Sequence, residues 1–148
     1  MSKMKIITLS IIAIIVIGVI LLYFAVPNED EAVIYKTVKL RSKDGQSSLY
    51  IKKKIWGMTS DGQQIIISDS DDKKFEADSF NHYIFNGLMP FFYKLENDTL
   101  TVYTRQVSSI PQNLRTKFSI VQFELENPDM MRLIENDNYK KQGLKEIE

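Results

Sequence analysis

One histidine and no cysteine decide most of the chemistry open to this chain. Without cysteine, the chain has no disulfides, thiol nucleophiles, iron–sulfur clusters or cysteine zinc sites. Any Ser-His-Asp arrangement would have to use His82, which lies between aromatic residues in the segment FNHYIF. A packed or half-exposed strand histidine is the ordinary explanation of such surroundings, and no G-x-S-x-G elbow, P-loop or G-x-G-x-x-G fingerprint is present. A catalytic role of His82 is therefore the weaker interpretation, and no catalytic residue or cofactor is predicted.

A run of acidic residues is the second group with possible chemistry. Carboxylate oxygens suit calcium, and an EF-hand loop places them at fixed alternate positions around a glycine. Here Lys73 and Lys74 occupy the places of a third ligand and that glycine, so a solvated turn over residues 69–74 is favoured and no metal site is predicted. Nor does the spacing single out a carboxylate pair for glycoside hydrolysis. The acidic residues are Asp69, Asp71, Asp72, Glu76 and Asp78.

Four side chains are instead candidates for binding a partner. Lys52 and Lys54 share one face of a predicted strand, where lysines attract anionic headgroups or protect an exposed strand from edge pairing. Trp56 ends the same strand, and such a tryptophan is either an interface residue or part of the core. Three successive aromatics at 91–93 cannot all face inward, so Phe92 is predicted to contact a partner or to lie in a second layer. The predicted partner-binding residues are Trp56, Phe92, Lys52 and Lys54.

The charge balance argues against nucleic acid as a partner. After Val26 the chain holds 17 basic and 19 acidic residues, a net charge of −2. Proteins that bind nucleic acid usually carry a clear basic excess. A chain of 148 residues is also a one-domain length, so no second folded domain is expected.

Residues 6–26 form an uncharged apolar run that only Thr8 and Ser10 interrupt. As a helix the run would be roughly 30 Å long, about the thickness of the hydrocarbon core of a bilayer. A cleaved secretory signal has a shorter run, about 7–15 residues, and ends in a small-x-small site. A single uncleaved transmembrane helix over residues 6–26 is therefore predicted, between a short N-terminus at 1–5 and a linker at 27–32.

The charges beside the run favour one orientation. Lys3 and Lys5 favour an inside N-terminus, although Lys36, Lys39 and Arg41 lie close on the other side. A long following domain translocates largely regardless of its charge, so the inside N-terminus is preferred. The prediction is a single-pass protein of the cell (inner) membrane with a cytoplasmic N-terminus and a periplasmic or extracellular C-terminal domain.

Residues 33–148 are predicted to form this domain, mostly β (α+β): a small antiparallel sheet arranged as a sandwich or partly open barrel, with a C-terminal helix. Turn signals such as Asp44-Gly45 and Asp61-Gly62 separate apolar runs that alternate with period two. In the last strand the apolar phase changes near Ile120, which predicts a β-bulge. The predicted strands cover residues 32–41, 48–56, 65–67, one or two strands within 75–85, 91–95, 99–104 and 116–125. The β-branched run 65–67 should be buried on both faces, and Glu96-Asn97-Asp98 predicts a hairpin between 91–95 and 99–104.

A helix is predicted at about 128–142. Asn127 is the expected N-cap, proline follows at the first helical position, and Gly143 should end the helix. Met130, Met131, Leu133 and Ile134 should share the stripe that packs on the sheet, and residues 144–148 should fray.

This layout is similar in plan to that of small membrane-tethered accessory or toxin-immunity proteins of bacteria. The similarity carries no motif, so it implies no residue roles. The first functional prediction is a membrane-anchored, non-enzymatic interaction protein of the bacterial cell envelope, which contacts the bilayer through residues 6–26 and binds another envelope protein. The alternatives are a domain that binds a small molecule, lipid or glycan in a cavity, and a small hydrolase that uses His82 or an acidic pair.

Overall fold

The computed structural model describes residues 3–25, 33–57, 59–87 and 90–147, which divide into two units at Ala32/Val33. The first unit contains helix α1, Lys3–Ala25, and its described side chains at positions 11–22 are almost all exposed. None of the helices within the described residues is long and apolar enough to cross a membrane. The predicted linker at 27–32 lies outside the described residues.

The second unit begins with a four-stranded antiparallel sheet, the first sheet. Its strands lie in the order β1-β2-β3-β4. Gly45 adopts a left-handed conformation in the turn between β1 and β2, as the Asp44-Gly45 signal predicts. Of the strands predicted within residues 75–85, only the last few residues form one. The strands are β1 (Ile34–Arg41), β2 (Ser48–Trp56), β3 (Gly62–Ser68) and β4 (Tyr83–Asn86).

A second four-stranded sheet packs against the first, in the order β7-β6-β5-β8. The predicted hairpin between β5 and β6 is confirmed, and its turn residues Asn97 and Asp98 both have positive φ. The predicted mostly β, antiparallel architecture is confirmed for both sheets except at one pair, since β7 pairs with β6 in parallel. The connection 105–118 is long enough to return the chain to the starting end of β6, which a parallel pair requires. The strands are β5 (Phe92–Glu96), β6 (Thr99–Thr104), β7 (Ser119–Glu124) and β8 (Lys145–Glu146).

The main core lies between the two sheets. In the second half of β3, Ile65, Ile66 and Ile67 alternate between the two faces of the sheet and are all buried, as predicted. The predicted bulge near Ile120 is wrong, because β7 stays in continuous register with β6. The inward residues of the first sheet include Leu49, Ile51, Ile65, Ile67 and Phe85, and those of the second include Tyr93, Leu100, Val102 and Ile120.

Two short helices form a further layer on the second sheet: α2, Asn127–Ile134, and α3, Asn138–Lys141. The prediction of one continuous helix is wrong. Asn136 and Asp137 between them have φ of 52° and 54°, a left-handed conformation that asparagine and aspartate tolerate. Glu126 rather than Asn127 occupies the N-cap position, although the helices do end before Gly143 as predicted.

The break between the helices decides which residues reach the sheet. Met130 and Leu133 are buried, whereas Met131 and Ile134 of the predicted stripe are exposed. The reversal at the break brings Tyr139 onto Phe92, with the two rings stacked and their centroids 4.8 Å apart. A second apolar cluster thus lies outside the second sheet.

The predicted frayed tail is instead part of the fold. β8 pairs with β5, and the buried residues Leu144 and Ile147 flank it. Leu144 belongs to the cluster under the helices, while Ile147 belongs to the main core. Lys53 Nζ also donates a hydrogen bond of 3.0 Å to the carbonyl oxygen of Ile147. The C-terminal tail is therefore packed both into the core between the sheets and into the cluster under the helices.

Candidate functional site

The outer face of the first sheet carries three of the four predicted partner-binding residues. Lys52, Lys54 and Trp56 alternate along β2 toward this face. Lys54 Nζ lies 5.9 Å from the ring centroid of Tyr35 and 5.8 Å from that of Trp56. The row therefore consists of cations stacked against aromatic rings, an attraction that survives partial exposure.

Residues 69–82, here called the strap, cross this face between β3 and β4. Phe75 is buried and contacts Tyr35 edge to face, with ring centroids 5.8 Å apart. Glu76 lies 3.7 Å from Lys54 Nζ. The acidic residues Asp69, Asp71 and Asp72 remain exposed, as the predicted solvated turn requires. The strap thus covers part of the face on which a partner was predicted to bind.

Lys52 is buried beneath the strap, with only 1% of its surface exposed, so its prediction as a partner-binding residue is not supported by its position. Desolvation lowers the pKa of Lys52, and the negative charges of Asp72, Asp71 and Asp69 oppose that shift. The carboxylates of these three aspartates therefore attract the ammonium group of Lys52. Within the described part of the chain, no group of acidic or histidine side chains is placed to hold a metal ion.

The side chain of His82 is hydrogen-bonded within the strap. Its Nδ1 accepts a hydrogen bond of 3.3 Å from the backbone N–H of Asp78. The carboxylate of Asp78 accepts hydrogen bonds from the N–H of Phe80 and from the side chain of Asn81. Because Nδ1 is an acceptor here, the neutral imidazole fits this turn and the imidazolium does not.

Stability should consequently fall on acidification. Burial, together with the charge of Lys52, lowers the pKa of His82 below its ordinary 6.5, although Asp78 and Asp69 oppose the shift. In the unfolded chain His82 is protonated near pH 6.5, whereas in the folded chain it is protonated only at lower pH. The stability that the neutral imidazole contributes is therefore complete above pH 6.5 and declines as the pH falls below that value. Urea unfolding at about pH 7.5 and about pH 5.5 should show a smaller loss in His82→Gln than in the wild type. Equal losses in the two proteins would contradict this assignment.

Trp56 remains accessible, with 38% of its surface exposed. Its indole lies over Gly62, the residue opposite it on β3, and a Cβ at that position would overlap the ring. Glycine is therefore required beneath the ring, which keeps 38% of the residue's surface exposed.

Phe92 is buried, with 1% exposure, among Met130, Leu133, Tyr139 and Leu144. Of the two alternatives predicted for it, the second-layer position is the one observed. A partner would not reach Phe92 without displacing the helices.

The β7 ledge, defined as Val121, Phe123 and Tyr103, is an apolar surface that the sequence prediction missed. Val121 and Phe123 are 38% and 49% exposed on the outer face of β7, the outermost strand of its sheet. The ring of Phe123 stacks on that of Tyr103, with centroids 5.3 Å apart. The signal was present in the sequence as the apolar phase change near Ile120, which a strand apolar on both faces explains without a bulge.

A groove of about 280 Å³ adjoins the ledge at Tyr103. Leu125, Leu133 and Leu144 supply apolar walls, while Asp129 and Arg132 lie at its polar side. Arg132 pairs with Asp129 at 2.5 Å. A separate and more polar recess of about 430 Å³ lies near Arg115 and Lys117, with Ser47, Ser48, Thr116 and Asp69 around it.

The edge strands β1 and β7, one from each sheet, differ in charge. β1 carries Lys36, Lys39 and Arg41, whereas β7 carries no basic residue and its one acid, Glu124, stands at its end. Basic side chains on an outer strand discourage unintended pairing, so β1 is protected in a way that β7 is not.

No known family model, curated protein or solved structure matches the chain.

Proposed function

We propose that this chain is a membrane-anchored, non-enzymatic protein that binds another envelope protein through the β7 ledge. The observation that carries the proposal is the exposure of Val121 and Phe123 on an outer strand without basic residues. Exposed apolar side chains grouped beside a groove are typical of interaction surfaces. The partner would present an apolar side chain to the groove and cover the ledge.

Covering the ledge would supply part of the free energy that a specific complex needs. Full burial of a valine or phenylalanine side chain is worth roughly 1.5–3 kcal/mol, and part of that remains available at each half-exposed residue. Phe123 is pre-positioned by its stack on Tyr103, so little side-chain entropy is lost on binding. Phe123 is therefore the residue that should contribute most.

The anchor in this proposal is the uncharged run at 6–26. Support comes from its composition and from the helical conformation of Lys3–Ala25. About 20 apolar residues are enough for a span, and the charges favour an inside N-terminus with the domain in the periplasm or outside the cell.

The position of His82 favours this proposal over a hydrolase. A general base needs a free lone pair directed at its substrate, whereas the Nδ1 lone pair of His82 is engaged by the N–H of Asp78. The groove and the recess near Arg115 are both shallow and open to solvent, which suits protein contact better than enclosure of a small ligand.

Phe123→Lys is the direct test. Affinity purification of the full chain from gently solubilised membranes should recover the partner with the wild type and at least about tenfold less with Phe123→Lys, since a hot-spot residue is worth about 2 kcal/mol or more. Phe80→Lys is the matched control, because Phe80 is 58% exposed on the strap, away from the ledge. Equal recovery with all three proteins would refute the role of the ledge.

A further inference from the structure

Trp56 lies at the end of the first sheet where the chain enters the domain. Strand register pairs Ile34 with Ile55, so Trp56 is one residue beyond the point of entry. Ile34 is 49% exposed on the opposite face of the same sheet end. Both faces of this end therefore present an apolar side chain.

The indole is packed against the sheet and is still partly exposed. Gly62 lies beneath it, and the ammonium group of Lys54 lies 5.8 Å from its centroid. Lys36 is exposed on the neighbouring strand, two residues from the point of entry. Lys54 thus lies beside the indole, and Lys36 lies on the opposite face with Ile34. A tryptophan with lysines at one end of a sheet matches the chemistry of the bilayer interface, where the ring sits at headgroup level and lysines are attracted to anionic headgroups.

Chain length restricts how far this end can lie from a bilayer. Residues 27–33 connect the apolar run to β1, and seven extended residues span at most about 25 Å. The opposite end of β2 lies about 26 Å from Trp56, since eight steps at about 3.3 Å separate Ser48 from Trp56. The chain therefore enters the domain at the end that carries Trp56.

We propose that this end of the first sheet binds the phospholipid headgroup layer of the bilayer that holds the anchor. The exposed part of Trp56 inserts among the headgroups, and Lys36 and Lys54 approach their phosphates from opposite faces of the sheet. The proposal rests on the proposed membrane anchor. Headgroup contact would fix the orientation of the domain and leave the β7 ledge, which belongs to the other sheet, for the partner.

Trp56 is the one tryptophan of the chain, which makes the proposal measurable in the intact protein. The full chain is reconstituted in vesicles of phosphatidylcholine and phosphatidylglycerol that contain lipid spin-labelled at the headgroup. Emission from Trp56 should fall by about twofold, as expected for an indole at headgroup level. The matched control is the double variant Trp56→Phe, Phe80→Trp, which moves the tryptophan to the strap and should show little quenching.

The outcomes separate the inference from the anchor. If alkaline carbonate removes the protein from the vesicles, both the anchor and the headgroup contact are refuted. If the protein resists carbonate but Trp56 is quenched no more than the control tryptophan, the headgroup contact alone is refuted. A blue-shifted, unquenched Trp56 would also refute it, because protein rather than lipid would then cover the ring.

Discussion

Phe92→Ala is expected to lower the free energy of unfolding by about 3–5 kcal/mol, the range for removing a buried aromatic side chain. Phe92 is 1% exposed and stacks on Tyr139 at 4.8 Å. Its removal would leave a cavity between the second sheet and both short helices. Since β8 follows directly after those helices, its pairing with β5 should weaken as well.

Urea unfolding of the full chain in mild detergent, followed by Trp56 fluorescence, measures this loss. Phe80→Ala is the matched control, and because Phe80 is 58% exposed its effect should stay within about 0.5 kcal/mol. A loss below about 1 kcal/mol for Phe92→Ala would show that the helices contribute little to the stability of the domain. Any loss of partner binding by Phe92→Ala would then need an explanation other than unfolding.

Lys52→Glu should be almost as damaging, with a loss of about 3–5 kcal/mol, because it buries an uncompensated charge. In the wild type the carboxylates of Asp69, Asp71 and Asp72 favour the ammonium group of Lys52. A glutamate at the same position would face three charges of its own sign. The strap would have to lift, or the new carboxyl would have to stay protonated.

Lys52→Met separates the charge from the volume of this side chain. Methionine is similar in length and carries no desolvation penalty, and the three aspartates it leaves behind are exposed to water. The free energy of unfolding should therefore stay within about 1.5 kcal/mol of the wild type or rise. If Lys52→Met lowers the free energy of unfolding as much as Lys52→Glu does in urea, then the ammonium group of Lys52 stabilises the fold by more than its desolvation costs.

Local signals determined the parts of the fold that were predicted correctly. The turn at Asn97-Asp98 and the stop at Gly143 depend on residues that tolerate positive φ, and such residues are visible in the sequence. The helix break at Asn136-Asp137 has the same kind of signal and was overlooked. By contrast, the parallel pairing of β7 depends on the course of residues 105–118, and no short pattern specifies it.

The candidate site divides in the same way. Period-two alternation correctly placed Lys54 and Trp56 on one face of β2. The burial of Lys52 could not be predicted, because it is caused by the strap, a segment without regular structure that follows β3. The exposure of Phe123 could have been predicted, because an outer strand with apolar residues on both faces produces the observed change in apolar alternation near Ile120. Assigning that change to a bulge concealed the exposed ledge.

The pairing of β8 with β5 sets the order in which the domain can fold. During synthesis β6 follows β5 directly, whereas β8 is synthesised only after β6, β7 and both short helices. Until residues 144–147 emerge, Phe92 and Tyr93 lack a strand beside them and the core lacks Ile147. Contacts of such long sequence separation slow folding. A domain built this way, if delivered across a membrane as a growing chain, would reach its native state only at the end of delivery, and would remain open to chaperones and proteases until then.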